Sequence, residues 1–157
     1  MTRESVRAVG ASLRVLSMVP QEGLSPRQVA ALAIPVHTRL WYLVCACGLP
    51  REGLEAFARR CAARTLEPAS SPIVSQYLAT GNPALLAVAL ADARQAAGMF
   101  PCQLLAIEIV YQMMPAARVM QLVGMVIRHA DRMREPPVAQ ILMDDLLEIM
   151  EAPCPII

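Results

Sequence analysis

The prolines of this sequence constrain its fold more than any other feature. Eight of the thirteen stand directly before a helical pattern of apolar residues: Pro26, Pro35, Pro50, Pro72, Pro83, Pro101, Pro115 and Pro137. Proline is accepted in the first turn of an α-helix, where its missing N–H would have no intrahelical partner, and it breaks a helix further in. None of the segments between these prolines alternates apolar and polar residues as a half-buried strand does. The pattern therefore predicts an all-α fold.

Nine helices follow from these starts, and several of them are short. They cover residues 2–18, 26–33, 36–47, 51–66, 72–79, 83–98, 101–114, 116–134 and 137–151. The connections are only a few residues long, which makes successive helices antiparallel or crossed neighbours. A chain of 157 residues suits one hydrophobic core. We therefore expect a single helical domain over residues 1–157, folded as a compact multi-helix bundle of about seven to nine helices.

Two helices are expected to form the centre of this bundle. Segments 83–98 and 101–114 are apolar nearly all round, and Asp92 and Arg94 are the only charged side chains of the first. A helix without a polar side is buried on several sides in a globular protein. We therefore expect the other helices to pack around these two.

Composition excludes several classes of protein. Apolar residues make up 56% of the chain and charged residues 17%, which is typical of an ordered protein. No uninterrupted apolar run is long enough for a membrane span, and a net charge of +1 does not attract nucleic acid. The first segment contains Glu4 among its arginines, so it is interpreted as an amphipathic helix and not as a transit peptide. We expect no nucleic acid and no membrane among the partners.

The five cysteines are interpreted as reduced, and Cys45 and Cys47 as buried thiols that pack like small apolar residues. Cys45, Cys47, Cys61, Cys102 and Cys154 form an odd set whose spacings match neither a disulfide framework nor a zinc site. Cys45 and Cys47 would point about 200° apart on a helix, so they cannot grip one metal ion together. Reduced cysteines are typical of a cytosol-like compartment. We expect a cytoplasmic protein with no metal site and no cofactor.

Asp92 and Glu108, the single acidic residues of the two most apolar helices, are interpreted as structural. An unpaired buried carboxylate costs several kcal/mol, so Asp92 and Glu108 each need an arginine, another hydrogen-bond donor or a route to water. Arg60 and Arg64 are the candidate partners in such structural ion pairs, and Arg39 is a third. Pairs of this kind would hold helices in register.

No residue of this sequence is assigned a catalytic role. His129 falls on an apolar helix side and His37 lies one turn before Trp41, so both are interpreted as packing residues. No glycine-rich phosphate loop, metal-ligand spacing or acid/base pair accompanies them. The sequence therefore favours a protein that is not an enzyme.

The last two helices carry the candidate partner-binding residues on their outward sides. Segment 116–134 has an apolar stripe formed by Val119, Leu122, Val123, Val126, Ala130 and Met133. Opposite this stripe lie Arg118, Gln121, Met125, Arg128 and Arg132. The spacing of three and four residues places each set on one side of a helix.

Segment 137–151 is acidic on its outward side. Val138, Ile141, Leu142 and Ile149 are expected to point inward, and Gln140, Asp144, Glu148 and Glu151 outward. Carboxylates in the last turns of a helix oppose its dipole, so something else must compensate them. Solvent, an arginine-bearing neighbour such as segment 116–134, or a basic partner could do so.

Three stretches of the sequence, taken in order, resemble one group of helical proteins. The first, LEAFARRCAARTL, has a Leu-x-x-Phe-Ala-x-x-Cys-Ala-x-Arg pattern and follows TRLWYLV; its matching residues are Leu54, Phe57, Ala58, Cys61, Ala62 and Arg64. The second is YLATGNPALLAVALADARQAA and the third is QILMDDLLEIMEAPCP. Together they resemble a bacterial, predicted immunity-protein-like helical family linked to polymorphic toxin systems. The sequence departs from that family where Glu148 replaces a basic residue. The resemblance implies no enzymatic chemistry.

These observations lead to a ranked set of functions. The first is a non-enzymatic helical module that binds a partner protein through helix faces, and the resemblance would make that partner a toxin or effector. The alternative is a structural subunit or obligate homo-oligomer of a larger assembly, since ten methionines and an apolar tail provide surplus apolar surface. A small-ligand binder or enzyme comes third, and it requires a polar cavity near Asp92, Glu108 or His129.

Overall fold

The helices begin where local side-chain chemistry places them. In the computed structural model, which describes residues 1–152, the hydroxyl groups of Ser25 and Ser71 accept hydrogen bonds from backbone N–H groups of the first turn that follows. Pro26 and Pro72 then occupy first helical positions. All eight prolines singled out above lie at a helix N-cap, at a first position or one residue before it. The helix starts predicted at these prolines are confirmed, except that Pro83 begins a 3-10 helix and the α-helix that follows begins at Leu86.

The described residues contain helices and no strand, so the prediction of an all-α fold is confirmed. The α-helices are α1 Arg3–Ala8, α2 Leu13–Met18, α3 Pro26–Ala30, α4 Val36–Ala46, α5 Arg51–Ala63, α6 Pro72–Thr80, α7 Leu86–Gln95, α8 Pro101–Tyr111, α9 Ala116–Arg132 and α10 Val138–Glu151. A short 3-10 helix, Pro83–Leu85, precedes α7. Within residues 1–152, no helix combines the length and the apolar character needed to cross a lipid bilayer.

The first predicted helix, residues 2–18, is wrong as a continuous element. Gly10 has a φ of 76°, a left-handed conformation that ends α1 and that glycine adopts without strain. Ser12 then caps α2 by accepting a hydrogen bond from the N–H of Val15. A glycine followed by a capping serine therefore divides the segment in two.

Packing divides the chain into two units, and the single-domain expectation stays a prediction. Unit 1 comprises residues 1–53 and the chain from Ala139 onward. In this unit α3 and α1 both pack against α4. Its fully buried side chains include Val6, Val19, Val29, Leu40, Leu43, Leu142, Met143 and Leu146.

Unit 2 comprises residues 54–138. Here α6 packs on α7, α7 on α8, and α8 on α9. Its fully buried side chains include Phe57, Ala58, Cys61, Ala106, Ile107, Ile109, Val119 and Leu122. Helix α8 has neighbours on two sides and buries Cys102, Gln103, Ala106, Ile107 and Ile109. It is therefore a central helix, as expected from its sequence.

Helix α7 is not a central helix, which corrects the expectation for residues 83–98. Only Ala89, Leu90 and Ala93 of α7 are buried. Its other side, which is also apolar, is exposed to solvent. Alanine side chains are small and bury little area, so an alanine-rich helix gains less from a second buried side than α8 does. Periodicity could not distinguish the two helices because neither has a polar side.

Candidate functional site

Helix α9 presents most of the predicted partner-binding residues to solvent. The predicted stripe of Val119, Leu122, Val123, Val126 and Ala130 is buried. Arg118, Gln121, Arg128 and Arg132 are exposed, and Met125 is half-buried. Met133, which was expected on the inward side, is 58% exposed because the helix ends at Arg132 and Arg134 turns into a left-handed conformation.

Helix α10 presents the predicted acidic row in unit 1. Asp144, Glu148 and Glu151 are exposed, and Asp144 accepts a hydrogen bond of 3.1 Å from Nε2 of Gln140. The expectation for Ile141 is wrong. This residue is 40% exposed, and Met143 and Leu146 are buried in its place. The inward side of α10 is thus rotated from the predicted one.

Glu151 has an arginine partner within its own unit. Nε and Nη2 of Arg27 lie 2.6 and 2.7 Å from the two carboxylate oxygens of Glu151, which is a bidentate pair. Both side chains are largely exposed, so the pair contributes at most about 1 kcal/mol. The compensating cation for this end of the acidic row comes from α3.

Asp92 and Glu108 each have a structural partner in the described residues. Asp92 accepts a 2.7 Å hydrogen bond from the hydroxyl of Ser71, which links α7 to the start of α6. Oε1 of Glu108 lies 3.8 Å from Nε of Arg94, so the pair joins α8 to α7. Arg39 donates to the carbonyl oxygen of Ala30 in unit 1.

The predicted arginines Arg60 and Arg64 also lie in unit 2, where Arg60 is half-buried and Arg64 exposed. Arg94 is an ion-pair partner of Glu108 that sequence spacing did not single out. The penultimate residue of α7 is close to α8 only because the two helices pack together.

The cysteines in the described residues form no disulfide bond. Cys45 and Cys47, which were predicted to be buried, are half-buried, whereas Cys61 and Cys102 are buried, and Cys154 lies outside the described residues. Burial raises the pKa of the Cys45, Cys47 and Cys102 thiols. Thiols with raised pKa values are poor nucleophiles at neutral pH.

The exposed side of α7 is an apolar surface that the sequence did not predict. Ala87, Val88 and Ala91 are exposed on one side of α7, and Ala84 of the 3-10 helix just before it is exposed as well. Val88 is the largest of them and is 49% exposed. A helix side of this kind is normally buried, so its exposure marks a surface suited to another protein.

Two further apolar side chains lie at the same end of unit 2. Helices α7 and α8 pack together and are joined by residues 96–100, so they form an antiparallel hairpin. The C-terminal end of α8 therefore lies beside the first turn of α7. Tyr111 and Met113 at this end are 53% and 72% exposed. We call Ala84, Ala87, Val88, Ala91, Tyr111 and Met113 the hairpin surface.

Met113 occupies a backbone position that favours glycine. Helix α8 ends in a Schellman motif, in which the N–H of Met114 bonds to the carbonyl of Ile109 and that of Met113 to Val110. Met113 takes the left-handed residue of this motif, with a φ of 51°. A left-handed conformation costs a non-glycine residue about 1 kcal/mol. An exposed, strained methionine suggests a role other than stability.

A cavity of about 230 Å³ lies at the opposite end of the hairpin. Thr65, Cys102, His129 and Arg132 are among its lining residues. His129, which the sequence pattern indicates as a packing residue, lines this cavity. Only His129 and Arg132 are related by helical spacing, since both lie on α9, whereas Thr65 and Cys102 come from other parts of the chain.

In the described part of the chain, no group of three or more His, Cys, Asp or Glu side chains is placed to hold a metal ion. Comparison with models of known protein families found no match, and comparisons with curated proteins and with solved structures found none either.

Proposed function

We propose that this chain is a non-enzymatic, helical protein-interaction module and that the hairpin surface is its contact site. The observation that carries this proposal is the exposed apolar side of α7. The side chains of this helix would be expected in a core, yet Ala87, Val88 and Ala91 are exposed. Exposed apolar patches on soluble proteins commonly mark contact sites for other proteins.

The shape of the surface favours a helical partner. Alanine side chains let another helix approach closely, since the distance between packed helices depends on the side chains at the contact. Val88, Tyr111 and Met113 are the larger exposed apolar side chains of the hairpin surface. A partner helix with an apolar side of its own fits such a surface, as in other helix-binding proteins.

The charge at the edge of the surface indicates the chemistry of that partner. Helix α9 begins shortly after Met113, and its first turns expose Arg118 and Gln121, whose side chains share a 2.6 Å hydrogen bond. Polar and charged groups typically surround the apolar centre of an interface. We infer that the partner is acidic beside its apolar side. The remaining predicted contact residues, on α9 and α10, stay proposals of lower rank.

The resemblance to immunity-like proteins indicates a class of partner for this proposal. In that case the partner is a toxin or effector, and the module acts by covering part of its surface. A second copy of this chain is the alternative occupant of the hairpin surface, as expected for a homo-oligomeric subunit.

Val88→Glu is the variant that tests the contact site. A charge at the centre of an apolar contact should reduce the amount of bound partner at least about tenfold. The measurement is quantitative mass spectrometry of proteins that the tagged chain retains from a lysate of its native host at physiological salt. Leu13→Glu is the matched control, because Leu13 is also an exposed apolar residue, at 85%, but lies in unit 1.

The expected pattern is at least one protein that the wild type and Leu13→Glu retain and that Val88→Glu does not. Light scattering over a dilution series identifies self-association, which Val88→Glu should abolish if the occupant is a second copy. A chain that stays monomeric and alone, or a partner retained equally by both variants, contradicts the proposal.

Met113→Gly provides a second test with effects of opposite sign. Glycine relieves the left-handed strain, so the free energy of unfolding should rise by up to about 1 kcal/mol. The loss of an exposed contact side chain should at the same time weaken partner binding several-fold. Chemical denaturation and the same retention assay measure the two quantities.

Arg134→Gly is the control for this test. Arg134 has a φ of 54° and takes the same position in a Schellman motif at the end of α9. The free energy of unfolding of the Arg134→Gly variant should rise to a similar degree, and its partner binding should be unchanged. Equal effects of the two substitutions on binding would remove Met113 from the contact site.

A further inference from the structure

The cavity at the start of α8 combines a helix N-terminus with cationic side chains. Phe100 precedes the first helical residue and provides no side-chain hydrogen bond to the helix, and Pro101 has no N–H. The first intrahelical bond is donated by Leu104 to the carbonyl of Phe100. The N–H groups of Cys102 and Gln103 therefore have neither an intrahelical acceptor nor a side-chain cap.

The wall opposite this helix end is basic. Arg132 and His129 of α9 line the cavity, and none of its lining residues carries a carboxylate. Arg128, one turn earlier on α9, is close enough to act electrostatically on the Cys102 thiol. A helix N-terminus carries about half a positive charge, so helix and side chains favour the same sign of ligand.

The thiol at the bottom of the cavity is not a reactive nucleophile. Cys102 is a free cysteine with 6% of its surface exposed. Burial raises the pKa of this thiol, and the opposing effects of Arg132 and Arg128 are smaller. The thiol is therefore protonated at neutral pH, and the cavity is arranged for binding and not for covalent attack.

Size and lining restrict the ligand further. A volume of about 230 Å³ is below the roughly 300–1,000 Å³ of sites for drug-sized ligands. Met99, Phe100 and Pro101 form an apolar part of the wall. The ligand should thus be small, with a negative group at one end.

We propose that this cavity binds a small molecule bearing an oxyanion, a carboxylate or a phosphate group. The N–H group of Cys102 would donate to the oxyanion, and Arg132 would neutralise its charge. This site is separate from the hairpin surface and does not depend on a protein partner.

Titration of the ¹⁵N-labelled full chain with inorganic phosphate and with acetate tests the proposal. The amide signals of Cys102 and Gln103 should shift in a saturable manner with at least one of the two anions, in comparison with chloride at equal ionic strength. The anion that binds more tightly distinguishes a phosphate site from a carboxylate site. No saturable shift with either anion overturns the proposal.

Arg132→Gln should weaken that binding at least fivefold. Arg132 is exposed, so its substitution does not disturb the core, and signal dispersion in the same spectra verifies the fold. Arg118→Gln is the matched control: Arg118 is an exposed arginine of the same helix that does not line the cavity. Equal binding by the wild type and Arg132→Gln, or equal losses in both variants, overturns the assignment of Arg132.

Discussion

Replacing Phe57 with alanine is expected to lower the free energy of unfolding by about 3–5 kcal/mol. Phe57 lies on α5 in unit 2 and is completely buried. Removal of a buried phenyl ring loses its transfer free energy and leaves a cavity that the surrounding helices fill only in part. Since natural domains have total stabilities of about 5–15 kcal/mol, this loss is a large fraction of the whole.

Urea denaturation followed by circular dichroism measures this change. Phe57→Leu is the control, because it keeps most of the buried volume and should lose less than about 2 kcal/mol. A loss below about 1 kcal/mol for the alanine variant would show that this part of α5 is not packed as described.

Replacing Gln103 with glutamate is the second large effect, and it should depend on pH. Gln103 is 2% exposed, and its Nε2 donates to the carbonyl oxygen of Thr65 at 3.2 Å and to the hydroxyl of Ser70 at 3.0 Å. A carboxylate at this position would face the Thr65 carbonyl with no proton to donate. Burial of such a charge without a cation costs about 3–5 kcal/mol at neutral pH.

The pH dependence follows from the protonation of the introduced carboxyl group. Its pKa in the folded state should lie above its unfolded value of about 4.3, because burial disfavours the charged form. Below the unfolded pKa the group is protonated in both states and can donate to Thr65, so the penalty is smallest there. As the pH rises through the folded pKa, stability is lost relative to the wild type.

Denaturation of the variant and the wild type at pH 4 and pH 7 measures this difference. Gln103→Leu is the control, since it removes the two hydrogen bonds without adding a charge and should lose about 1–3 kcal/mol at both pH values. If Gln103→Glu lowers the free energy of unfolding equally at pH 4 and pH 7, the burial of this side chain is contradicted.

The block of sequence that carries the family resemblance has a physical explanation of its own. Leu54, Phe57, Ala58, Cys61 and Ala62 are all buried. Their spacing is that of one inward helix side, so packing alone accounts for the pattern. The resemblance therefore guides the proposal of an immunity-like role without being needed to explain the core.

Wrong predictions near the ends of helices show which features a sequence pattern does not determine. Ile141 and Met133 were expected to point inward, and both are exposed. Near the end of a helix, the side that points inward depends on which residue ends the helix. Neighbouring elements determine which residue that is. The inward sides of long, strongly patterned helices such as α9 are less sensitive to this, and the prediction for most of α9 is confirmed.

The sequence by itself determined where most of the helices start and that residues 1–152 contain no strand, because prolines and capping serines act on the backbone within one turn. It also determined the inward side of α9, because apolar and polar residues there lie on opposite sides. Tertiary structure alone decided that α8 buries large side chains such as Ile107 and Ile109 while α7 exposes an apolar side. Both helices lack polar sides and each packs against two others, so neither the pattern nor the number of neighbours predicts this difference. Tertiary structure also decided the cavity at Cys102, because Thr65, Cys102 and His129 meet only when three separate segments are packed together.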